Sequence, residues 1–412
     1  MTISTETVMP KFPGPESRVM RHSGRAVRWH RCLGPGDQNG GESRRGGQGI
    51  GSQLNPAGAD EPARHATIKR LLQWVLSLAV VLGIFLGALP RIADYADVWA
   101  TIRAMSRFEV AALLLIGFGN LASYWLVLTA VLPGLTIPQA GIANQASTAV
   151  ANAIPAGGAL GVGLTYAMYS SWGFSGGDVT RSVIVSGVWN NFVKLGLPPL
   201  ALGVLAFTED VGSALVIAAA VGMVFLVGMI VGFALVLRSK RLDRVVGDWL
   251  GRLVSWVTGR FGRAPVTTWG AAAVRFRITT NDLLAAGWKR LTVTTVVSHL
   301  SLYLVLLAAL RSAGVSEAEV SWVRVLAAFA FVRLISALPI TPGGLGVVEL
   351  GYTAALAIGL DDPTKAKIVA AVLVFRFITY FLPIPLGAAS YLYWRSNRSW
   401  RISAAGHAAA GE

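Results

Sequence analysis

Apolar positions along this chain fall into runs long enough to cross a bilayer, and the polar positions between them mark out the elements. About 20 apolar residues span a hydrocarbon core of ~30 Å. Such runs occur at about 71–89, 110–132, 180–207, 213–237, 291–310 and 365–394, the last bent at Pro383 and Pro385. About six full spans are therefore predicted. Two further apolar stretches are too interrupted to be simple spans. Ile137 to Trp172 is full of small residues, carries Asn144, Gln145 and Asn152, and centres on Ile154-Pro-Ala-Gly-Gly-Ala-Leu-Gly-Val-Gly163. Val323 to Leu360 is broken by Leu338-Pro-Ile-Thr-Pro-Gly-Gly-Leu-Gly-Val-Val-Glu-Leu-Gly-Tyr352. Each reads as a broken or re-entrant helical hairpin, so the fold class is an all-α polytopic membrane protein of about six spans plus two hairpins.

The second break carries the sharpest chemical signal. A lipid-exposed helix cannot be interrupted this way, because freed backbone N–H and C=O groups find no water at that depth and each costs several kcal/mol. The break should therefore be buried in protein or line a cavity. Pro339 and Pro342 stop the incoming helix around Thr341, and Gly343 and Gly344 let the chain turn. A second helix can then begin near Leu345 and Gly346, its unpaired N–H groups attracting anions. Glu349 lies about one turn inside that helix. Burying its charge costs roughly 2.5–3.5 kcal/mol on insertion scales, so a cationic partner is expected, and Arg333 and Arg376 are nearest in sequence.

Composition agrees with the pattern: of 412 residues, 54% are hydrophobic and only 14% charged, with a mean hydropathy of +0.57. The net charge of +15 suggests nucleic acid until the charges are located. Lys and Arg number 11 in residues 1–70, 11 in 238–290 and 3 after Tyr393. They lie outside the spans, where positive-inside orientation places them, so nucleic-acid binding is not expected and both termini are read as cytoplasmic. The organisation that follows is a disordered basic tail over 1–67, a first membrane half over 68–238, a cytoplasmic loop over 239–290, a second half over 291–395 and a tail over 396–412. Residues 90–107 fall outside. Within the loop, Leu242, Val245, Trp249, Leu253 and Trp256 recur at helical spacing opposite Arg241, Arg244 and Arg252, the pattern of an interfacial amphipathic helix.

Little else in the chain carries reactive chemistry. Cys32 is the only cysteine and four of the five histidines lie in the tails, so neither a disulfide nor a metal cluster is expected. His299 lies in a span, where a lone polar residue usually hydrogen-bonds a neighbouring helix. No Walker loop, His-Glu-x-x-His or nucleophile elbow occurs, and no cofactor is expected. Energy coupling would come from an ion gradient, or there is none.

The two halves look duplicated. Displacement by 185 residues brings Gly161 onto Gly346, Phe192 onto Phe377 and Pro198 onto Pro383, with Pro155 and Pro339 at 184 and Gly158 and Gly344 at 186. By charge, the first hairpin starts and ends on the cytoplasmic side, whereas the second starts near Glu319 and ends near Asp361, both external. The repeats are thus read as inverted. Inverted repeats with discontinuous helices near the midplane are the architecture of alternating-access carriers. Candidate substrate-binding residues are Asn152, Pro155, Gly157 and Gly158 at the first break. Asn190, Asn191 and Lys194 lie in the span after it, and Arg333, Pro339, Thr341, Pro342, Gly343, Gly344, Gly346, Glu349 and Arg376 surround the second break.

Pro339-Ile-Thr-Pro-Gly-Gly-Leu-Gly-Val-Val-Glu349 resembles the signature of the lysylphosphatidylglycerol synthase transmembrane-region, or flippase-like domain, family. Asn152-Ala-Ile-Pro-Ala-Gly-Gly158 resembles its first-half counterpart, and the likeness extends over about 68–395. It implies a plasma-membrane protein related to the lipid-translocating part of bifunctional lysyl-lipid synthases. Where many relatives carry a basic residue and a glutamate, this chain has Ala156 and Gly163, so a two-carboxylate site is not carried over. Only 17 residues follow Arg395, and neither synthase nor glycosyltransferase activity is expected. The leading expectation is a carrier moving an anionic phospholipid or lipid-linked head group between leaflets, with membrane lipids as partners. The alternative is a non-transporting accessory subunit of a membrane-bound envelope lipid or glycan biosynthetic enzyme.

The topology is testable by single cysteines at Gly212, Ser316 and Ser255 in a Cys32→Ser background. The first two should react with an impermeant thiol reagent from outside and the third should not. External labelling at Ser255 would overturn the inverted arrangement.

Overall fold

The computed structural model describes residues 94–154, 157–208, 212–238, 269–336 and 341–397, with the isolated positions 75 and 86. The expected tails, most of the first span at 71–89, the interfacial helix at 242–257, and both Pro155 and Pro339 lie outside the described residues. The described residues are mostly helical, joined by short turns, and no strand occurs among them. In chain order the helices are α1 Tyr95–Ala104, α2 Arg107–Val131, α3 Ile137–Ala153, α4 Gly157–Ser171, α5 Gly176–Thr208 and α6 Ser213–Arg238. They continue as α7 Trp269–Ser312, α8 Trp322–Ile335, α9 Val347–Leu356, α10 Asp362–Arg376 and α11 Pro383–Ser396. A 3₁₀ turn, Pro342–Gly344, precedes α9, and a π turn, Phe377–Phe381, joins α10 to α11.

Five of these segments are long and apolar enough to cross a membrane: α2, α5, α6, the Phe276–Ser312 part of α7, and the continuous run from α10 through α11. They coincide with five of the six spans read from hydropathy. The two interrupted stretches are helix pairs, α3 with α4 and α8 with α9, each pair packed on itself. Polar starts fix several ends. Ser106 accepts from the Glu109 N–H while Glu109 accepts from the Ser106 N–H at 2.7 Å, and Thr136 and Gln139 repeat this device at α3.

Two features go beyond the hydropathy reading. Residues 90–107 contain α1, started by the Asp94 side chain on the Ala96 N–H, and its Val98 packs among Ala366, Val369 and Ala370 of α10. Helix α7 starts at Trp269 rather than near Leu291, running into the segment read as a basic loop. Charged residues lower the hydropathy there without breaking the helix, because Arg and Lys are good helix formers.

The largest core cluster unites α7 to α10: Leu306, Leu310, Phe329, Val332, Tyr352, Ile368 and Phe375 are all buried, and Leu113, Leu197 and Ala201 join from α2 and α5. A second cluster joins α3 and α4, where Ala140, Ala143 and Ala146 meet Met168 and Tyr169. On the far loop, Glu319 accepts from the hydroxyl and N–H of Ser316, both at 2.6 Å, and from Thr364 at 2.8 Å. These bonds hold its carboxyl down to about 2, from an ordinary 4.5. The clasp is thus fully present above the unfolded value and is lost only as pH falls through the folded one.

Helix α11 rests directly on α3. A Cβ on Gly387 would run into the Gln145 carbonyl and the Ala149 side chain, so only glycine allows this approach. Gly387→Ala is expected to cost about 1–3 kcal/mol through overpacking and to lower the melting temperature in detergent. Gly232→Ala, which meets open space, should leave it unchanged.

Candidate functional site

The second helix break is built by satisfying its own backbone. Gly343, Gly344 and Gly346 adopt positive φ of 56°, 71° and 82°, a region open chiefly to glycine. The Gly344 N–H returns to the Thr341 carbonyl at 3.0 Å, and the Thr341 hydroxyl donates to the Leu345 carbonyl at 2.8 Å. Glu349, only 1% exposed, reaches back so that its Oε2 accepts from the Gly346 N–H at 2.6 Å. The helix therefore starts at Val347 with one of its N–H groups capped from within, rather than at Leu345 with all of them open.

The other oxygen finds the cation the sequence required. Arg376 Nε donates to Glu349 Oε1 at 2.7 Å, and the Arg376 guanidinium also donates to the Gly343 carbonyl at 3.0 Å. Arg376 is 8% exposed and lies over the Tyr380 ring, 4.5 Å from its centroid. Of the two candidate partners, Arg376 takes the carboxylate; Arg333 does not.

The first break is brought to the same place. Asn152 Nδ2 donates to the Tyr380 carbonyl at 3.1 Å, while the Tyr380 hydroxyl donates to the Asn152 carbonyl at 2.7 Å. A Cβ on Gly343 would lie 3.2 Å from the Asn152 side-chain oxygen. Both interruptions therefore meet at the π turn. Gly157 is buried with its Cα against the Val150 and Ala151 backbone, which closes the α3–α4 pair.

A cavity of about 320 Å³ opens where the breaks converge. Asn152 and Thr148 of α3, Lys194 of α5, Arg333 of α8 with Ser336 just after its end, Gly343, Tyr352 of α9, and Arg376, Thr379 and Tyr380 line it. Asn120 of α2 also faces it while its Nδ2 holds the Ser298 carbonyl and the Ser301 hydroxyl at 3.0 and 2.9 Å. Three cations thus face one space, and among the described residues no carboxylate lines it. Glu349 compensates Arg376 from behind. Among the described residues no acid pairs with Lys194 or Arg333, and Arg333 Nε is buried without a hydrogen-bond partner. Two uncompensated charges at membrane depth create a strong demand for an anion.

Other sequence candidates are placed elsewhere. Asn190 donates to the Tyr124 hydroxyl at 2.9 Å and Asn191 is exposed; neither lines the cavity, although each stands within one helical turn of Lys194. Gly158 is exposed and meets nothing. Thr341, Gly344 and Gly346 shape the break without lining the cavity, and Pro342 opens the 3₁₀ turn. Asn120, Ser336, Thr379 and Tyr380 were not read from sequence. Tyr380 follows Arg376 by four residues, a spacing that puts two side chains on one helix face and would have found it.

Because both Glu349 oxygens are engaged, Glu349→Gln should strand the Arg376 charge and cost about 3–5 kcal/mol. Yield and thermal stability in detergent should fall together. A variant as stable as the parent would exclude this role for the pair.

Comparison with curated proteins gives no match. The family described as "Lysylphosphatidylglycerol synthase TM region" matches residues 74–387 of 412, a stretch that contains both breaks, the cavity and every helix but the end of α11. This multi-pass membrane protein therefore belongs to the lysylphosphatidylglycerol synthase transmembrane-region family.

Proposed function

We propose that the chain is a flippase-like carrier, not an enzyme, and that it moves an anionic phospholipid or lipid-linked head group between the leaflets of the plasma membrane. One observation carries this reading: Lys194 and Arg333 open, without a counter-ion among the described residues, onto a cavity between the helix breaks. A phosphodiester entering it would offset one of the two positive charges and accept charge-assisted hydrogen bonds from both cations, while Asn152, Thr148 and Tyr352 offer neutral partners for the rest of a head group.

The breaks have a natural role in this scheme. We read α3–α4 and α8–α9 as re-entrant hairpins of two inverted repeats, with both chain termini cytoplasmic. Rocking of one half against the other would open the cavity to each leaflet in turn. The hinge falls at the π turn Phe377–Phe381, where Tyr380 joins the two breaks.

Purified protein in liposomes with fluorescent lipids of differing head groups tests the proposal. Anionic lipids should redistribute faster than zwitterionic ones. Lys194→Gln and Arg333→Gln should each slow the anionic lipid about tenfold or more, since hydrogen bonds to charged groups contribute roughly 1.5–3 kcal/mol. Equal rates for both head groups would remove the anionic selectivity, and rates no higher than protein-free vesicles would remove the carrier reading and leave that of an accessory subunit of an envelope biosynthetic enzyme.

A further inference from the structure

A second compartment lies beside the cationic cavity. Helices α5, α6 and α7 enclose a cleft of about 640 Å³. Its walls are almost wholly hydrocarbon, with Phe192, Leu200, Ile230, Phe233, Val296 and Leu300 prominent among them. The polar side chains that reach it are turned to other partners. Thr292 accepts from Trp189 Nε1 at 3.0 Å and donates to the Trp288 carbonyl at 2.8 Å. His299 directs Nδ1 to the Thr295 carbonyl at 3.0 Å; the exception is its Nε2, which is buried without a hydrogen-bond partner among the described residues. A molecule in the cleft meets carbon.

Two helices wall both compartments. On α5, Phe192, Val193 and Gly196 face the cleft and Lys194 faces the cavity; on α7, Leu300 faces the cleft and Leu302 the cavity. The third wall, α6, buries only Leu237, so the cleft borders the surface that bilayer hydrocarbon covers.

We propose that the cleft holds one hydrocarbon chain of the same membrane lipid whose anionic head group occupies the cationic cavity. The proposal rests on the carrier reading above. Shared walls support it: a molecule with a charged end at one compartment and a hydrocarbon end at the other matches what each lining offers, and α5 and α7 line both. A groove left empty would lose dispersion contacts along its lining. Because lipid tails are as apolar as the groove, filling it adds little affinity over the bilayer. The groove instead aligns the tail, so that the head group is presented to Lys194 and Arg333 in one orientation.

The test uses the full chain in nanodiscs containing phosphatidylglycerol with a photoreactive diazirine in one acyl chain, with adducts located by peptide mass spectrometry. Adducts should concentrate on α5, α6 and α7 around Leu200, Ile230 and Val296. Ala234→Trp places an indole in the cleft from an exposed position and should lower them about tenfold. A zwitterionic lipid with the same diazirine should label the cleft less, and Lys194→Gln should erase that difference. Adducts spread evenly around the belt and insensitive to Ala234→Trp, with the head-group preference retained, would overturn the cleft alone. Cleft adducts equal for both lipids and indifferent to Lys194→Gln would overturn the head-group reading and the joint assignment with it. Excess inorganic phosphate should weaken the preference by competition, since it brings the cavity anionic oxygens without a tail. Ile230→Cys chains that cross-link to one another and exclude the lipid would also defeat the proposal, since a second copy would then fill the cleft.

Discussion

The pair between Arg376 and Glu349 is the interaction on which the rest of the membrane core depends. A helix break at this depth leaves carbonyls and N–H groups without water, and a buried carboxylate adds a further cost. The pair answers both demands together. Glu349 takes an N–H at the start of α9, Arg376 takes a carbonyl from the turn, and their mutual attraction locks α9 to α10. Without it, the positive-φ glycines would have no fixed path to follow.

From this pair the structure spreads outward by contact. Arg376 lies on Tyr380, Tyr380 exchanges hydrogen bonds with Asn152, and Asn152 ends α3 at the other break. Three residues thus connect the two interruptions of the chain, the step from Asn152 to Tyr380 bridging 228 positions of sequence. The cavity at their meeting point has an electrostatic asymmetry with a simple origin. One carboxylate serves three cations, and it is spent on the innermost.

Much of this architecture was legible in the sequence. Five spans stand out because bilayer thickness fixes their length, and both breaks stand out because Pro and Gly cannot continue a helix at those positions. The need for a partner to Glu349 followed from desolvation alone. The choice between Arg333 and Arg376 did not, since it depends on how α8 and α10 pack. Asn191 and Gly158 were singled out by residue type, but how the helices pack decides which side chains reach the cavity. The long α7 was hidden because hydropathy records burial in lipid, whereas the backbone continues as a helix wherever local propensity permits.

That helix has a mechanical consequence. At about 1.5 Å per residue its 44 residues measure roughly 66 Å, more than twice the hydrocarbon thickness, so a large part of it stands outside the bilayer. Its inner part, from Leu291 to Ser312, walls both the cationic cavity and the apolar cleft, while its outer part carries Arg277, Lys289 and Arg290. With no break between them, a few degrees of tilt at the cavity become several ångströms of displacement at the far tip. Geometrically, a tilt of its basic end is also a tilt of the cavity wall.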